Sequence, residues 1–139
     1  MSTEIERNKA AVVRFNKEVI EGGSRASFEE LMDPRFVNRS AAPGAPDGPE
    51  SMWGFFTNVL RPAFPDLVVE IHDQIAEGDK VVTRKSIIGT HQGPFLGIAA
   101  TGRRVTINIT DIVRVVDGRY YEHWGSADLF GVQAQLTAP

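Results

Sequence analysis

Cysteine is absent from the 139 residues, which excludes disulfide staples, thiolate metal sites and a thiol nucleophile. Histidine is scarce. His72, His91 and His123 stand far apart, so no zinc spacing such as H-E-x-x-H exists. A surplus of positive charge is missing too. Fifteen Lys and Arg against 18 Asp and Glu leave a net charge of −3, and duplex binding needs a basic face to neutralise phosphates. The longest apolar run, Phe95 to Ala100, falls far short of the ~20 residues that span a bilayer. The opening Met1 to Arg7 has no apolar signal core. No glycine-rich phosphate loop joins a strand to a helix, no G-x-S-x-G elbow occurs, and no basic stretch is interleaved with aromatics. The expectation is one folded domain over residues 1–139, in the cytoplasm, with neither nucleic acid nor membrane as partner.

Helical signals come first along the chain and strand signals second. Thr3 and Glu6 form a T-x-x-E capping box. Ala11, Val12, Phe15, Val19 and Ile20 then lay one apolar stripe on a helix that Gly22-Gly23 ends. Ser27 and Glu30 read as a second capping box, opening a short helix with Phe28, Leu31 and Met32 that Pro34 terminates. Phe36 to Asn38 suits a short strand. A loop with Pro43, Gly44 and Pro46 leads to Pro49, well placed in the first turn of a third helix. Met52, Phe55, Phe56, Val59, Leu60 and Ala63 recur at helical spacing, with Trp53 widening the face. Pro62 is expected to kink or end this helix near Leu60. From Leu67 the period becomes two, giving strands at 67–75, 80–90, 103–116 and 119–127. Turns fall at Glu77-Gly78-Asp79 and Asp117-Gly118, a glycine-rich loop at 91–102, and a short amphipathic tail carries Leu129, Phe130, Val132 and Leu136. The order predicts an α+β fold: a cone-shaped, curved antiparallel sheet wrapped on the N-terminal helices around an internal pocket.

The third long strand carries the chemistry. Val105, Ile107, Ile109, Asp111, Val113 and Val115 share one face, and the opposite face is mostly polar. Asp111 is therefore a carboxylate among β-branched aliphatics, where it must be paired, hydrogen-bonded or protonated. The partner depends on the hairpin. A three-residue loop 116–118 puts Asp111 opposite His123, with Tyr121, His123 and Gly125 inward. A two-residue Asp117-Gly118 loop puts it opposite Trp124, with Tyr120, Glu122, Trp124 and Ser126 inward. In the first case an Asp–His pair suits general acid–base work. In the second, Asp111 bonds a backbone amide or a tyrosine and His123 is exposed.

Other candidates carry two readings each. His91 ends the second long strand, as a ligand contact at a pocket mouth or as a turn cap. Arg84, alternating with Val82, Ser86 and Ile88, is a pocket cation or a solvated strand residue. Asn38 bonds a substrate or shapes a turn. Trp53, Phe56 and Trp124 line an aromatic pocket or pack the core. The outer sheet face, taken through Thr83 and Lys85 or Thr106 and Asn108, is too polar for assembly.

Five stretches together resemble the SnoaL-like polyketide cyclases (ester cyclases) of the nuclear transport factor 2-like superfamily. They are Asn8 to Phe15; Gly48-Pro49-Glu50; Phe64-Pro65-Asp66-Leu67; Gly89 to Gly93 with Gly97-Ile98 and Thr101-Gly102-Arg103; and Val116 to Arg119 running to Glu122-His123-Trp124. The resemblance implies a curved antiparallel sheet on helices around a mostly apolar pocket, and a homo-oligomer, dimer or tetramer. It also implies a ring closure by intramolecular aldol condensation, without metal or cofactor, worked by an aspartate and a nearby histidine. Aligned on the Val116-Asp117-Gly118 turn and Gly131, that aspartate falls on Gly125 and the histidine on Asp111, while His91 matches a family histidine. The match needs positions 111 and 125 on one face, which favours the three-residue loop.

The expected activity is a cyclase, lyase or isomerase acting on a small hydrophobic carbonyl compound. Asp111 and His123 serve as base and orienter, and His91 or Tyr121 bonds the oxygen where charge develops. The alternative is a small-molecule binder that has lost chemistry with its aspartate.

Overall fold

Thr3 accepts the Glu6 amide while Glu6 reaches back to Thr3, and this box opens helix α1 (Glu4–Arg14) in the computed structural model, which describes residues 2–139. The helix widens into a π-helical segment (Phe15–Glu21) before Gly22 closes it. Phe15, Asn16, Val19 and Ile20 of this segment are all buried, so a polar residue joins the apolar stripe. Helix α2 (Arg25–Leu31) starts earlier than expected. Ser24, not Ser27, is its cap and accepts the Ser27 amide. The Ser27 hydroxyl donates instead to Glu18, 2.7 Å away.

Strand β1 (Met32–Asn38) begins before Pro34, which interrupts its pairing without ending it. It lies at a sheet edge, where a missing N–H is tolerated. Helix α3 (Pro49–Phe55) passes through a second π-helical segment (Phe56–Leu60) into a last turn, α4 (Arg61–Ala63). Pro62 therefore does not stop the helix at Leu60. The hydrogen-bond pattern has already shifted before it, and proline sits in the opening turn of the resumed segment, where its lost donor costs little.

The remaining strands are β2 (Val68–Glu77), β3 (Lys80–Thr90), β4 (Arg104–Val116) and β5 (Arg119–Ala127), followed by helix α5 (Leu129–Thr137). They form one curved open sheet in the order β1-β5-β4-β3-β2, antiparallel except for the parallel β1–β5 pair. The α+β class and the helix-wrapped sheet are as expected. The helices bury Val12, Phe15, Val19, Phe56 and Leu60 against Val81, Ile87, Val105, Ile107, Val113 and Val115 of the sheet. Phe15 stacks on Tyr120 with ring centroids 4.1 Å apart. Among the described residues no helix is long and apolar enough to cross a membrane.

The β4–β5 hairpin combines parts of both alternatives. Asp117 and Gly118 have φ of 51° and 77°, the two left-handed residues of a two-residue turn. Val115 accordingly pairs with Tyr120. The register then shifts, and Arg114 pairs with Glu122, Val113 with His123 and Asp111 with Gly125. Tyr121 is the extra residue of a β-bulge. The turn is the short one, yet the bulge returns His123 and Gly125 to the face that a longer turn would have given them.

Candidate active site

Between the helices and the sheet lies a cavity of about 490 Å³. Phe15, Met52, Phe56, Leu60, Ile87 and Ile107 contribute apolar walls, and the exposed Phe55 and Leu129 lie at its edge. Its charged and most of its polar residues gather on β3, β4, β5 and the end of β1.

Asp111 projects from the inner face of β4 and is 5% exposed. Its partner on the neighbouring strand is Lys85, only 4% exposed. The Lys85 Nζ lies 3.0 Å from Asp111 Oδ2 and donates to Asn16 Oδ1 at 2.6 Å. Asn16 is oriented by its own amide, which donates to the Val12 carbonyl. The widened turn of the first helix thus delivers the acceptor that steadies the lysine. Asp111 Oδ1 is buried and has no protein partner. Burial pushes the Asp111 carboxyl up. The Lys85 ammonium, followed by His123, pulls it down by more, and the net position is below the ordinary carboxylate value.

His123 approaches from β5, its Nε2 3.6 Å from Asp111 Oδ2. That is ion-pair range and beyond a hydrogen bond. The other ring nitrogen, Nδ1, lies 3.0 Å from Asn38 Oδ1. Asn38 Oδ1 also accepts the Ser40 backbone N–H, which assigns it as the amide oxygen. Nδ1 therefore carries the hydrogen, and Nε2 faces Asp111. The parallel pairing of β1 with β5 sets Asn38 beside His123. Tyr120, stacked on Phe15, lines the same cavity. Burial, and secondarily the Asp111 charge, pushes its phenol well above the ordinary tyrosine value.

The other expected site residues lie elsewhere. His91 is 0% exposed and does not line the cavity. Its Nδ1 accepts the Thr101 amide at 3.1 Å and contacts the Thr101 hydroxyl, so the ring pins the loop after β3. Arg84 points outward, ion-paired with Asp73, and lines a separate depression with His72 and Asn108. Tyr121, pushed out by the bulge, lies under Arg35 and Arg114. Trp124 faces Lys80 on the outer side. Trp53 packs on Phe28 beneath Arg25 and lies outside the cavity lining. Asn38 and Phe56 do line it.

The profile of SnoaL-like polyketide cyclases matches residues 10–136. The chain belongs to the SnoaL-like polyketide cyclase family. Among curated relatives, aklanonic acid methyl ester cyclase DnrD of Streptomyces peucetius is 27% identical over 141 residues, covering 100% of this chain and 94% of the relative. Among solved structures, a protein from Jannaschia sp. CCS1 described as a SnoaL-like polyketide cyclase superposes with a TM-score of 0.85. It has 30% identity and covers 100% of this chain and 98% of its own. TsrD from Streptomyces laurentii gives the same TM-score at 28% identity, covering 99% and 100%.

Within this SnoaL-like frame, the position where the resemblance places an aspartate holds Gly125. A Cβ there would stand 2.7 Å from His123 Cε1, far inside van der Waals contact. The His123 ring occupies the space that a side chain at 125 would need, and Asp111 supplies a carboxylate from the strand opposite.

Lys85 and Asn16 are the residues that sequence reasoning missed. The expectation placed Thr83 and Lys85 on the outer face. Both are buried on the inner one, because β3 pairs Thr83 directly with Asp111. A signal for Lys85 existed in the requirement that a buried Asp111 have a cationic partner. A signal for Asn16 existed as well, since it stands four residues after Val12 and four before Ile20, within the apolar stripe of a regular helix.

Proposed function

We propose that this protein closes a ring in a small, hydrophobic, polyketide-like carbonyl compound by acid–base chemistry that needs no cofactor. The observation that carries the reading is the Asp111 carboxylate on the cavity wall, with one oxygen held and the other partnerless. A carboxylate held below its ordinary value is ionised at neutral pH and is a weak base. It suits a C–H made acidic by two flanking carbonyls.

In this reading Asp111 Oδ1 takes the proton as the C–H bond breaks. The electron pair moves onto the adjacent carbonyl oxygen, giving an enolate. The enolate carbon attacks a second carbonyl of the same molecule and forms the C–C bond. The resulting alkoxide recovers that proton from Asp111, directly or relayed through His123 Nε2, so that the site ends as it began. Substrate and product are isomers. Asn38 holds the His123 ring so that Nε2 faces the reaction. The same reading takes the protein as a homo-oligomer in the cytoplasm, and a monomeric mass at micromolar concentration would count against the assembly.

Aklanonic acid methyl ester, the compound in the relatives' names, is the first substrate to test, followed by shorter diketo esters. The expected result is a product of unchanged mass and altered retention, formed ~10²–10⁴-fold more slowly by Asp111→Asn. Unchanged turnover in that variant would remove Asp111 from the mechanism. Gly125 favours a second reading, a binder without chemistry. It predicts that a bound ester is recovered intact after long incubation, and any conversion by the protein ends it.

A further inference from the structure

The expected oxygen-binding groups, His91 and Tyr121, both lie outside the cavity lining. A proton abstraction that leaves charge on oxygen therefore needs another donor. We propose that the Lys85 ammonium is that donor, and that the cavity selects ligands carrying an oxygen anion, or an oxygen about to become one, beside a hydrogen-bond donor. This rests on the reading of Asp111 as the base.

An ammonium has three hydrogens. Asp111 and Asn16 take two, and the third has no acceptor among the described residues, although Lys85 lines the cavity. Asp111 Oδ1 is the complementary vacancy, a buried acceptor with no donor. The polar end of an otherwise largely apolar hollow thus offers one N–H and one carboxylate oxygen side by side. An enolisable ketone, an enol or a phenol satisfies both, its O–H or acidic C–H toward Oδ1 and its oxygen toward Nζ.

At rest Lys85 neutralises Asp111. When Asp111 takes the proton, the negative charge moves to the ligand oxygen, and Lys85 is left facing the new anion with no change in the net charge of the site. A fixed cation that serves both anions in turn is preorganised for the step. The two acceptors facing Nζ also orient its hydrogens, which makes it a good donor.

The test uses 4-nitrophenol, whose ionised form is coloured, at a pH where the free phenol is un-ionised. Asp111→Asn imitates the protonated base. With Lys85 alone at the site, bound 4-nitrophenol should become phenolate, because the phenolate–ammonium pair neutralises the pocket. In Asp111→Asn with Lys85→Met the colour should vanish, and phenolate affinity should fall by about tenfold or more, the scale of one hydrogen bond to a charged group. Neutral phenol affinity should stay within about twofold, since a charge-assisted bond serves mainly the ion. Absence of phenolate in Asp111→Asn, or equal phenolate in both variants, overturns the proposal.

Lys85→Arg keeps both charges and so guards against a folding defect in Asp111→Asn. It moves the donor and should lower kcat for ring closure about tenfold with KM little changed. An unchanged kcat overturns the assignment. If the wild-type protein closes no ring at all, the reading under Proposed function fails, while the phenolate experiment still decides whether Lys85 binds an oxygen anion.

Discussion

At the scale of single residues, Lys85 and Asp111 make each other's burial possible. Each alone would be an uncompensated charge in an apolar wall, and removing one partner of such a pair typically destabilises a fold by about 3–5 kcal/mol. Lys85→Met should therefore lower unfolding stability by that order, measured by urea denaturation at neutral pH. The loss should shrink as the solution is made more acidic. With Lys85 gone, the burial that raises the Asp111 carboxyl is less opposed, and protonation removes the stranded charge. Lys85→Met combined with Asp111→Leu leaves neither charge and should recover most of the stability. The double-mutant cycle should show strong coupling between the two positions. Additive single effects would mean that the pair does not form in solution.

At the scale of elements, the β5 bulge decides which side chains reach the cavity. Tyr121 is the extra residue. Tyr120 pairs with Val115, Glu122 pairs with Arg114, and nothing stands opposite Tyr121. Deleting Tyr121 should close the strand without moving His123 or Gly125 to the other face. The variant should fold, keep ligand binding and ring closure within a few-fold, and lose about 1 kcal/mol with the Arg35 and Arg114 contacts on the ring. Deleting Trp124 instead would throw Gly125 out of register with Asp111. Comparing the two deletions by 4-nitrophenol binding separates a bulge residue from a ladder residue.

The same elements explain how far the sequence could be read. The bounds of β3 and β5 matched their expected ranges, because long strands between Gly-containing turns leave little freedom. The inner face of β4 was legible because its two faces differ so much in polarity. On β3 the faces do not differ. Val81, Thr83, Lys85 and Ile87 alternate with Val82, Arg84, Ser86 and Ile88, two apolar and two polar on each side. The cation was sought at Arg84 and lay at Lys85. The long loop between β3 and β4 prevented counting the register through a turn. A bulge has no comparable signature, so the Asp111–His123 juxtaposition could be posed from sequence but not decided.

At the scale of the whole molecule, acid stability divides into a screened part and an unscreened one. Arg14 and then Ser27 hold the exposed Glu18 carboxyl at about 2. Arg25 lowers Glu50, and Thr90 lowers Asp66. Asp111, raised by burial and lowered by more through Lys85 and His123, also ends below its ordinary value. A carboxylate depressed in the folded state stabilises the fold fully above its unfolded value of about 4, and that contribution fades as pH falls through the lower folded value. Thermal stability should therefore drop from about pH 5 downward. Glu18 and Glu50 pair with arginines in water, and salt near 1 M shortens the Debye length to about 3 Å and weakens them, whereas Asp66 is held by Thr90 hydrogen bonds that salt does not screen. The buried pair is shielded from that screening. Thermal melts across this range should show a shallower acid loss in high salt, yet one that persists. Asp111→Asn should reduce the persisting part, to which Asp66, Asp33 and Glu122 also contribute. If salt alone abolished the acid dependence, the Asp111 carboxylate would have to be hydrated, and the cavity wall would have to be open to water at the point where the chemistry is placed.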